Sequence, residues 1–383
     1  MANPFYIKQL PLDAPFCNRQ KEIAELCRLA ESKNDVVIHS PRRFGKTSLV
    51  RRVQKELADR GGLTMYADFF GVGSIDDVAA RMAEAVFRVT HRKEPLWKSA
   101  LKFLTTFRPV LRPDADGGVE LTVESSSAGR TGLPLLNETM ESLRQFIDNT
   151  GALVHIALDE FQEIVVLPDA VKIEAALRTH IQQYKASHFF VGSRRRLLLG
   201  MFNERQRPFF QSAFDYPLQP LPLEELAEFL SSQFTENGVT CSREMAAQLA
   251  DLVACYPYYA QKFAHHVYDL AGSEVTWAEI KMAMRSLIFS EGTAFEYAIQ
   301  GLAPQQRLLL RAIAREPAKQ IMATKFMRTH NLGSVNAVRN SLKQLELLDY
   351  IEKDPDGVWH VIDPVFTWWL TGRVSEEAIE GMS

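Results

Sequence analysis

An apolar run, Val36-Val37-Ile38-His39, passes directly into Ser40-Pro41-Arg42-Arg43-Phe44-Gly45-Lys46-Thr47-Ser48 and then into apolar residues at helical spacing. No other stretch constrains the fold as strongly. A buried strand that turns through a short loop into a helix is the first half of a crossover unit, and successive units build a parallel sheet covered by helices. Gly45, Lys46 and Thr47 fit the end of the pattern G-x-x-x-x-G-K-[ST], in which backbone N–H groups at a helix N-terminus cradle an oxyanion. Gly45 lets the backbone approach closely, Lys46 brings a point charge to outer phosphates, and the Thr47 hydroxyl can ligate Mg2+. Ser40 stands where the pattern has its first glycine. It is small enough to leave the cradle open, at some loss of backbone freedom. Arg42 and Arg43, inside the loop, are open between phosphate, a partner and a neighbouring acid. The rival reading is a chance GKT in a polar loop, and the strand before and helix after weigh against it.

The alternation continues. Helices are expected at Lys21–Ser32, Thr47–Arg60 (closed by Gly61 and Gly62), Ile75–Thr90 and Asn137–Asn149, and strands at Leu63–Phe69, Leu153–Leu158 and His188–Gly192. The expected fold is an α/β P-loop core with a parallel sheet. Pro113–Pro134, rich in Gly, Ser and Asp around the alternating Val119–Val123, reads as an insertion with a hairpin. The prolines of Tyr216–Leu223 mark a boundary. Beyond it come helices at Glu224–Thr235, Ser242–Ala254, Tyr258–Ala271 and Thr276–Ser290. Further helices at Gln305–Arg315, Ala323–His330 and Ser334–Leu347 lead into YIEKDPDGVWHVIDP, a strand, Asp-Gly turn and strand. Three helices and a hairpin make a winged helix-turn-helix. The expected organisation is a core over 1–217 with its insertion at about 113–134, an α-helical lid over 218–300, and a winged helix over 301–383.

Asp159 and Glu160 follow an apolar strand at once. An acid there can hold Mg2+, usually through water, and the next acid can polarise an attacking water. Asp159 is assigned to the metal and Glu160 to the water; the bland alternative is an acidic strand end facing solvent. Ser193, ending the last strand, is placed to reach the outermost phosphate. Of Arg194, Arg195 and Arg196, one is a candidate to sense that phosphate and the others suit ion pairs or a partner surface; for each taken alone, a solvated surface position is the bland reading.

A formal net charge of −3 and a pI near 6.3 argue against a whole-chain electrostatic grip on nucleic acid but leave room for a local basic patch. The four cysteines form no C-x-x-C pair, which disfavours zinc and fits reduced thiols. MANPFYIKQLPLD lacks a basic start followed by an apolar run, and no window reaches the ~20 apolar residues of a membrane helix. A cytoplasmic protein with no membrane partner is expected.

Taken together, these residues resemble the prokaryotic, archaeal-type branch of the STAND ATPases, within the AAA+-like P-loop NTPases. Phe16-Cys17-Asn18-Arg19 with Glu22 is similar to the family's opening F-x-x-R-x-x-E box beside the adenine. SPRRFGKTS is similar to G-P-R-R-x-G-K-[TS]-S, which makes the arginine pair a family trait. Leu158-Asp159-Glu160-Phe161-Gln162 and Gly192-Ser193-Arg194 follow in the family's order. Tyr256-Pro257-Tyr258-Tyr259 is similar to a G-x-P motif in the lid, and Asp363-Pro364 with Phe366, Trp369 and Leu370 looks like the family's ending. Ser40 and Cys255 depart from it, each standing where the family has glycine. The resemblance implies ATP or ADP with Mg2+ as cofactors. It implies a nucleotide site of Phe16, Arg19, Ser40, Pro41, Arg42, Arg43, Phe44, Gly45, Lys46, Thr47, Ser48 and Pro257, with Thr47 and Asp159 toward the metal. Catalysis would fall to Lys46, Asp159, Glu160, Ser193 and Arg194. The implied function is an ATP-hydrolysing switch, closed with ADP and open or self-assembled with ATP.

The winged helix bears on partners. In SVNAVRNSLKQLELLDY, Val335, Val338, Leu342, Leu345 and Leu348 read as the core stripe. Asn336, Arg339, Asn340 and Lys343 read as the outward set, candidates for contact with DNA or a protein partner. The wing, Glu352–Val358, sets Lys353 against Glu352, Asp354 and Asp356, which is unsuited to phosphate contacts. The alternative function is a DNA-binding AAA+-like ATPase, origin-recognition or transposition-like. The module's rival role is packing against the core or a partner, with most of Trp359, Phe366, Trp368 and Trp369 in the core and one exposed for docking. A non-catalytic nucleotide-binding scaffold is a further reading, disfavoured by the intact Lys46, Thr47, Asp159 and Glu160.

Overall fold

The computed structural model describes residues 3–8, 10–12, 14–91, 94–113, 119–126 and 130–372. The chain divides into two compact units. The first is Arg19–Arg42 with Lys46–Leu218; the second takes the described residues up to Asn18, Arg43–Gly45, and those from Gln219 onward.

The first unit runs α1 (Gln20–Glu31), β1 (Val36–His39), α2 (Lys46–Asp59), β2 (Leu63–Asp68), α3 (Ile75–Thr90), α4 (Glu94–Phe103), β3 (Phe107–Pro113), β4 (Val119–Ser125), α5 (Leu133–Thr150), β5 (Val154–Asp159), a 3-10 segment (Phe161–Val166), α6 (Ala170–Ile181), β6 (Ala186–Gly192), α7 (Arg195–Asn203) and β7 (Phe214–Pro217). Its sheet has the order β2-β5-β6-β1-β7, every pairing parallel. The central strands β1, β5 and β6 are buried along their whole length, which is why they read as unbroken apolar runs. Behind them Phe161, Phe190, Phe202 and Phe209 interlock, with the Phe161 ring 4.8 Å from Phe190 and 5.4 Å from Phe209. Register sets Asp68 beside Asp159 and His39 beside Gly192. The C-terminal ends of β1, β2, β5 and β6 therefore share one edge, the edge where parallel α/β sheets hold ligands.

Several expectations are corrected here. The break between the two units falls after Leu218, inside Tyr216–Leu223, but the strand just before it, Phe214–Pro217, paired with β1 at the sheet edge, was not expected. An edge strand tolerates proline because one side needs no N–H donor. The hairpin expected around Val119–Val123 has its first arm at Phe107–Pro113, with Pro109 opposite Val123. Of the segment 113–134, residues 114–118 and 127–129 lie outside those described. Helices α4, α6 and α7 were not foreseen, and α5 starts at Leu133 rather than Asn137.

The second unit contains α8 (Leu223–Glu236), α9 (Arg243–Leu252), α10 (Pro257–Leu270), α11 (Trp277–Gln300), α12 (Pro304–Arg315), α13 (Thr324–Thr329), α14 (Val335–Leu347), β8 (Ile351–Lys353), β9 (Trp359–Val361) and α15 (Pro364–Thr371). Thr276 and Glu279 cap α11 reciprocally, and the helix continues well past the expected end at Ser290. Helices α12 to α14 with the antiparallel pair β8–β9 form a winged helix. Its core takes Leu309, Leu310, Ile313, Val338, Leu345 and Phe366. Two expectations fail at its margins. Val335 is 43% exposed and Leu348 53% exposed: one opens α14 and the other lies past its last turn, so only the middle of the stripe meets the core. None of Trp359, Phe366, Trp368 and Trp369 is exposed. Phe366 packs on Phe295 and Trp369, and the Trp368 Nε1 donates to the Leu252 carbonyl at 3.0 Å. All four described cysteines are free thiols. Among the described residues, no helix is long and apolar enough to cross a membrane.

Candidate functional site

The loop between β1 and α2 turns at two left-handed positions, Arg43 (φ 62) and Gly45 (φ 86). Ser40 is not among the residues with positive φ, so its backbone does not need glycine. Lys46 opens α2 and is 5% exposed. Its ammonium donates to the carbonyls of Ser40 at 3.0 Å and Pro41 at 2.8 Å, and to the Ser40 hydroxyl at 3.3 Å. Burial lowers its pKa to about 8, against the opposing pull of Glu160 and Asp159. A cation held in this way, under low polarity and ahead of a helix N-terminus, is prepared for an anion that restores its lost solvation.

The strand-end acids sit opposite. Asp159 is 4% exposed. Its Oδ2 accepts from the Thr47 hydroxyl at 2.7 Å and from the Tyr66 phenol, and its Oδ1 accepts from the Glu160 N–H at 2.9 Å. The Arg51 guanidinium lies 3.4 Å over the Tyr66 ring. Burial first, then Asp159, push the Tyr66 phenol far above its ordinary pKa, so it remains a donor. Glu160 has φ 49, a costly conformation for a non-glycine residue, and its carboxylate accepts from the Ser193 hydroxyl at 3.1 Å and from the Gln162 amide. Gln162 is fully buried against Gly192; a Cβ at 192 would lie 1.9 Å from the Gln162 Oε1. Arg194 pairs with Glu163 at 3.5 Å.

Thr47 and Asp159 offer a hydroxyl and a carboxylate, hard oxygen donors in mutual contact, and so fit Mg2+. Among the described residues there is no group of three or more His, Cys, Asp or Glu side chains that could cage a metal.

Other expected site residues are placed as follows. Arg19 is buried at φ 73 and bonds Glu22 at 2.6 Å. Pro41 supplies a carbonyl to Lys46, and Ser48 lies in the first turn of α2. In the second unit, Phe16 is half-buried. Phe44 packs edge-on against Tyr256, ring centroids 4.9 Å apart, and Pro257 opens α10. Cys255 stands at φ 52, which explains why glycine suits that position. Arg43 finds a neighbouring acid: its guanidinium donates to Glu291 Oε2 at 3.0 Å and lies 4.3 Å over the Tyr258 ring. Glu291 is 4% exposed and also accepts from Lys262 at 2.6 Å and Tyr258 at 3.0 Å. Burial pushes the Glu291 carboxyl up, but the bonds from Lys262 and Arg43 outweigh it and leave the pKa lowered. On α14, Asn336, Arg339, Asn340 and Lys343 are all exposed.

Tyr66, Lys262 and Glu291 were missed by sequence reasoning. Tyr66 sits in an alternating strand whose neighbour is known only once β2 pairs with β5. Glu291 hides in a helix without any motif.

A family model described as an ATPase domain predominantly from Archaea matches residues 16–256, and one described as a probable winged helix domain matches residues 293–372. No curated protein matches the sequence. Among solved structures, the Walker-type ATPase of Pyrococcus abyssi is similar with a TM-score of 0.71 at 16% identity, covering 93% of this chain and 96% of that one. The Aeropyrum pernix ORC2 protein, solved as ADPNP-ADP complexes, is similar with a TM-score of 0.61 at 16% identity, covering 98% and 97%. The Aeropyrum pernix ORC1 protein, solved in complex with DNA, gives 0.51 at 15% identity, covering 98% and 96%. At these identities the likeness is one of fold.

Proposed function

The chain belongs to the family of ATPase domains found predominantly in Archaea, and from that premise we propose that it binds ATP with Mg2+, hydrolyses it, and uses the nucleotide state to control its domain arrangement or self-assembly. The observation that carries the proposal is the 2.7 Å hydrogen bond from Thr47 to Asp159. It joins the loop to the strand-end acid, with Glu160 next in the chain.

In this reading the loop N–H groups and Lys46 bind the outer phosphates. Thr47 and Asp159 hold Mg2+, which when bound neutralises charge on the phosphate oxygens. Glu160 orients a water and draws its proton as the water oxygen bonds the terminal phosphorus and the bond to ADP breaks. Ser193 and Gln162 keep the Glu160 carboxylate in place. Phe16, Arg19 and Pro257 are assigned to the nucleotide by family resemblance, and Arg194 to sensing the terminal phosphate. Domain limits of 1–217, 218–300 and 301–383 remain part of this proposal.

Calorimetry tests the site. Lys46→Ala is expected to lose nucleotide binding, whereas Glu160→Gln is expected to bind normally and hydrolyse ATP at least about a hundredfold more slowly. Unchanged affinity in the first variant, or persistent turnover in the second, contradicts the assignment. Light scattering with ADP and with a non-hydrolysable ATP analogue tests the switch: equal particle sizes and shapes in both states count against it.

A second reading, a DNA-binding ATPase, is favoured by the exposure of Asn336, Arg339, Asn340 and Lys343 along one helix. The acidic wing weighs against it. A duplex titration at two salt concentrations separates the readings, since phosphate-driven binding weakens steeply with salt.

A further inference from the structure

We propose that Tyr66 is a positioning residue for the metal-holding carboxylate of Asp159, fixing its orientation from the neighbouring strand. The proposal rests on the reading that Asp159 holds Mg2+.

Three donors fix that carboxylate. The Glu160 N–H takes one oxygen, while the Thr47 hydroxyl and the Tyr66 phenol converge on the other. The donors are not equivalent. Thr47 is itself assigned to the ion, so its hydroxyl divides its duty: a lone pair turns toward Mg2+ while its proton stays on Asp159. The Tyr66 phenol has no such second duty. It comes from β2, whose parallel register beside β5 sets Tyr66 against Ala157 and Asp68 against Asp159. Its ring is held under the Arg51 guanidinium at 3.4 Å, and Arg51 belongs to α2, the helix that the loop opens. With the Thr47 hydroxyl shared between ion and acid, Tyr66 adds a donor from the neighbouring strand that keeps Asp159 aimed at the ion. Partners that orient a ligand in this way are commonly worth 10–100-fold in metal affinity.

The test is calorimetry with a non-hydrolysable ATP analogue, with Mg2+ and with EDTA, on the full chain and on Tyr66→Phe, Arg51→Met and Asp159→Asn. Tyr66→Phe is expected to bind the analogue unchanged in EDTA, to lose about tenfold of the affinity gained from Mg2+, and to need about tenfold more Mg2+ for half-saturation. Arg51→Met, which leaves the carboxylate's donors intact, is expected to lose a smaller part of the same gain. It carries the test should the Phe variant fail to fold. Asp159→Asn is expected to lose the gain entirely. If Asp159→Asn loses the gain while Tyr66→Phe keeps it, the positioning role is overturned and the Mg2+ assignment stands. If Tyr66→Phe weakens binding equally with Mg2+ and with EDTA, the phenol merely supports the loop, and the proposal fails. If Asp159→Asn itself keeps the gain, the metal assignment fails and the proposal with it.

Discussion

Thr47 and Asp159, 112 positions apart in the chain, are joined by a hydrogen bond of 2.7 Å from hydroxyl to carboxylate. It closes the start of α2 against the end of β5 inside one compact unit. A hydrogen bond to a charged group contributes about 1.5–3 kcal/mol. Thr47→Val keeps the side-chain shape and removes the donor. The unliganded protein is expected to lose stability of that order in urea unfolding. Mg2+ should then add nothing to the rise in melting temperature produced by nucleotide, since the affinity that ligation supplies is missing. Thr47→Ser is expected to restore both effects.

Gly192 faces the amide that holds Glu160. A methyl group there would fall 1.9 Å from Gln162 Oε1, and Gln162 is fully buried, so the side chain must swing or the strand must shift. Overpacking of this kind costs about 1–3 kcal/mol. Gly192→Ala is expected to lower stability by that order, to leave nucleotide affinity near normal, and to slow turnover about tenfold or more as Glu160 loses its Gln162 partner. Steady-state kinetics would show the change in kcat rather than KM.

Glu291 and Arg43 form an unequal pair. Glu291 is buried and holds the almost buried Lys262 as well, whereas the Arg43 side chain is 49% exposed. Glu291→Ala leaves Lys262 without its carboxylate and is expected to cost about 3–5 kcal/mol. Arg43→Ala is expected to cost no more than about 1 kcal/mol, because solvent screens its half of the contact. Denaturant unfolding of the two variants side by side should show that ratio.

Burial lowers the His155 imidazole from its ordinary 6.5 to about 3, with His188 adding repulsion. The unfolded chain takes up a proton near pH 6.5 that the folded chain refuses until about pH 3. The stability contributed by neutral His155 is therefore full above pH 6.5 and lost as pH falls through that window, by up to about 1.4 kcal/mol per pH unit. His155→Gln can keep a bond to Ser187 and cannot titrate. Its unfolding free energy is expected to fall less steeply between pH 7 and pH 5 than that of the unaltered chain.

What was legible in the sequence follows distance along the chain. The loop from Ser40 to Ser48 could be read because strand, turn and helix are contiguous, and Asp159-Glu160 because a buried strand ends on them. Strand β7 was hidden by Pro217, which an edge permits and a central strand would not. The first hairpin arm, FRPVLRP, was hidden for the same reason. The stripe on α14 was read too long because periodicity carries no record of where the partner surface stops. Tyr66, Lys262 and Glu291 lay beyond reach, since each acquires its meaning only from a neighbour that folding supplies. Arg43 was visible as a question, and Glu291 is the acid that answers it.

Ser40 has a consequence for the chain before it folds. Its native backbone lies outside the left-handed region, so glycine there would confer no ease in the folded loop. It would instead widen the range of shapes open to the denatured segment, and that extra disorder would have to be surrendered on folding. Ser40→Gly is thus a change toward the consensus that weakens the protein, by about 0.4–1 kcal/mol. The residue that first looks like a lapse in the motif restrains the unstructured chain.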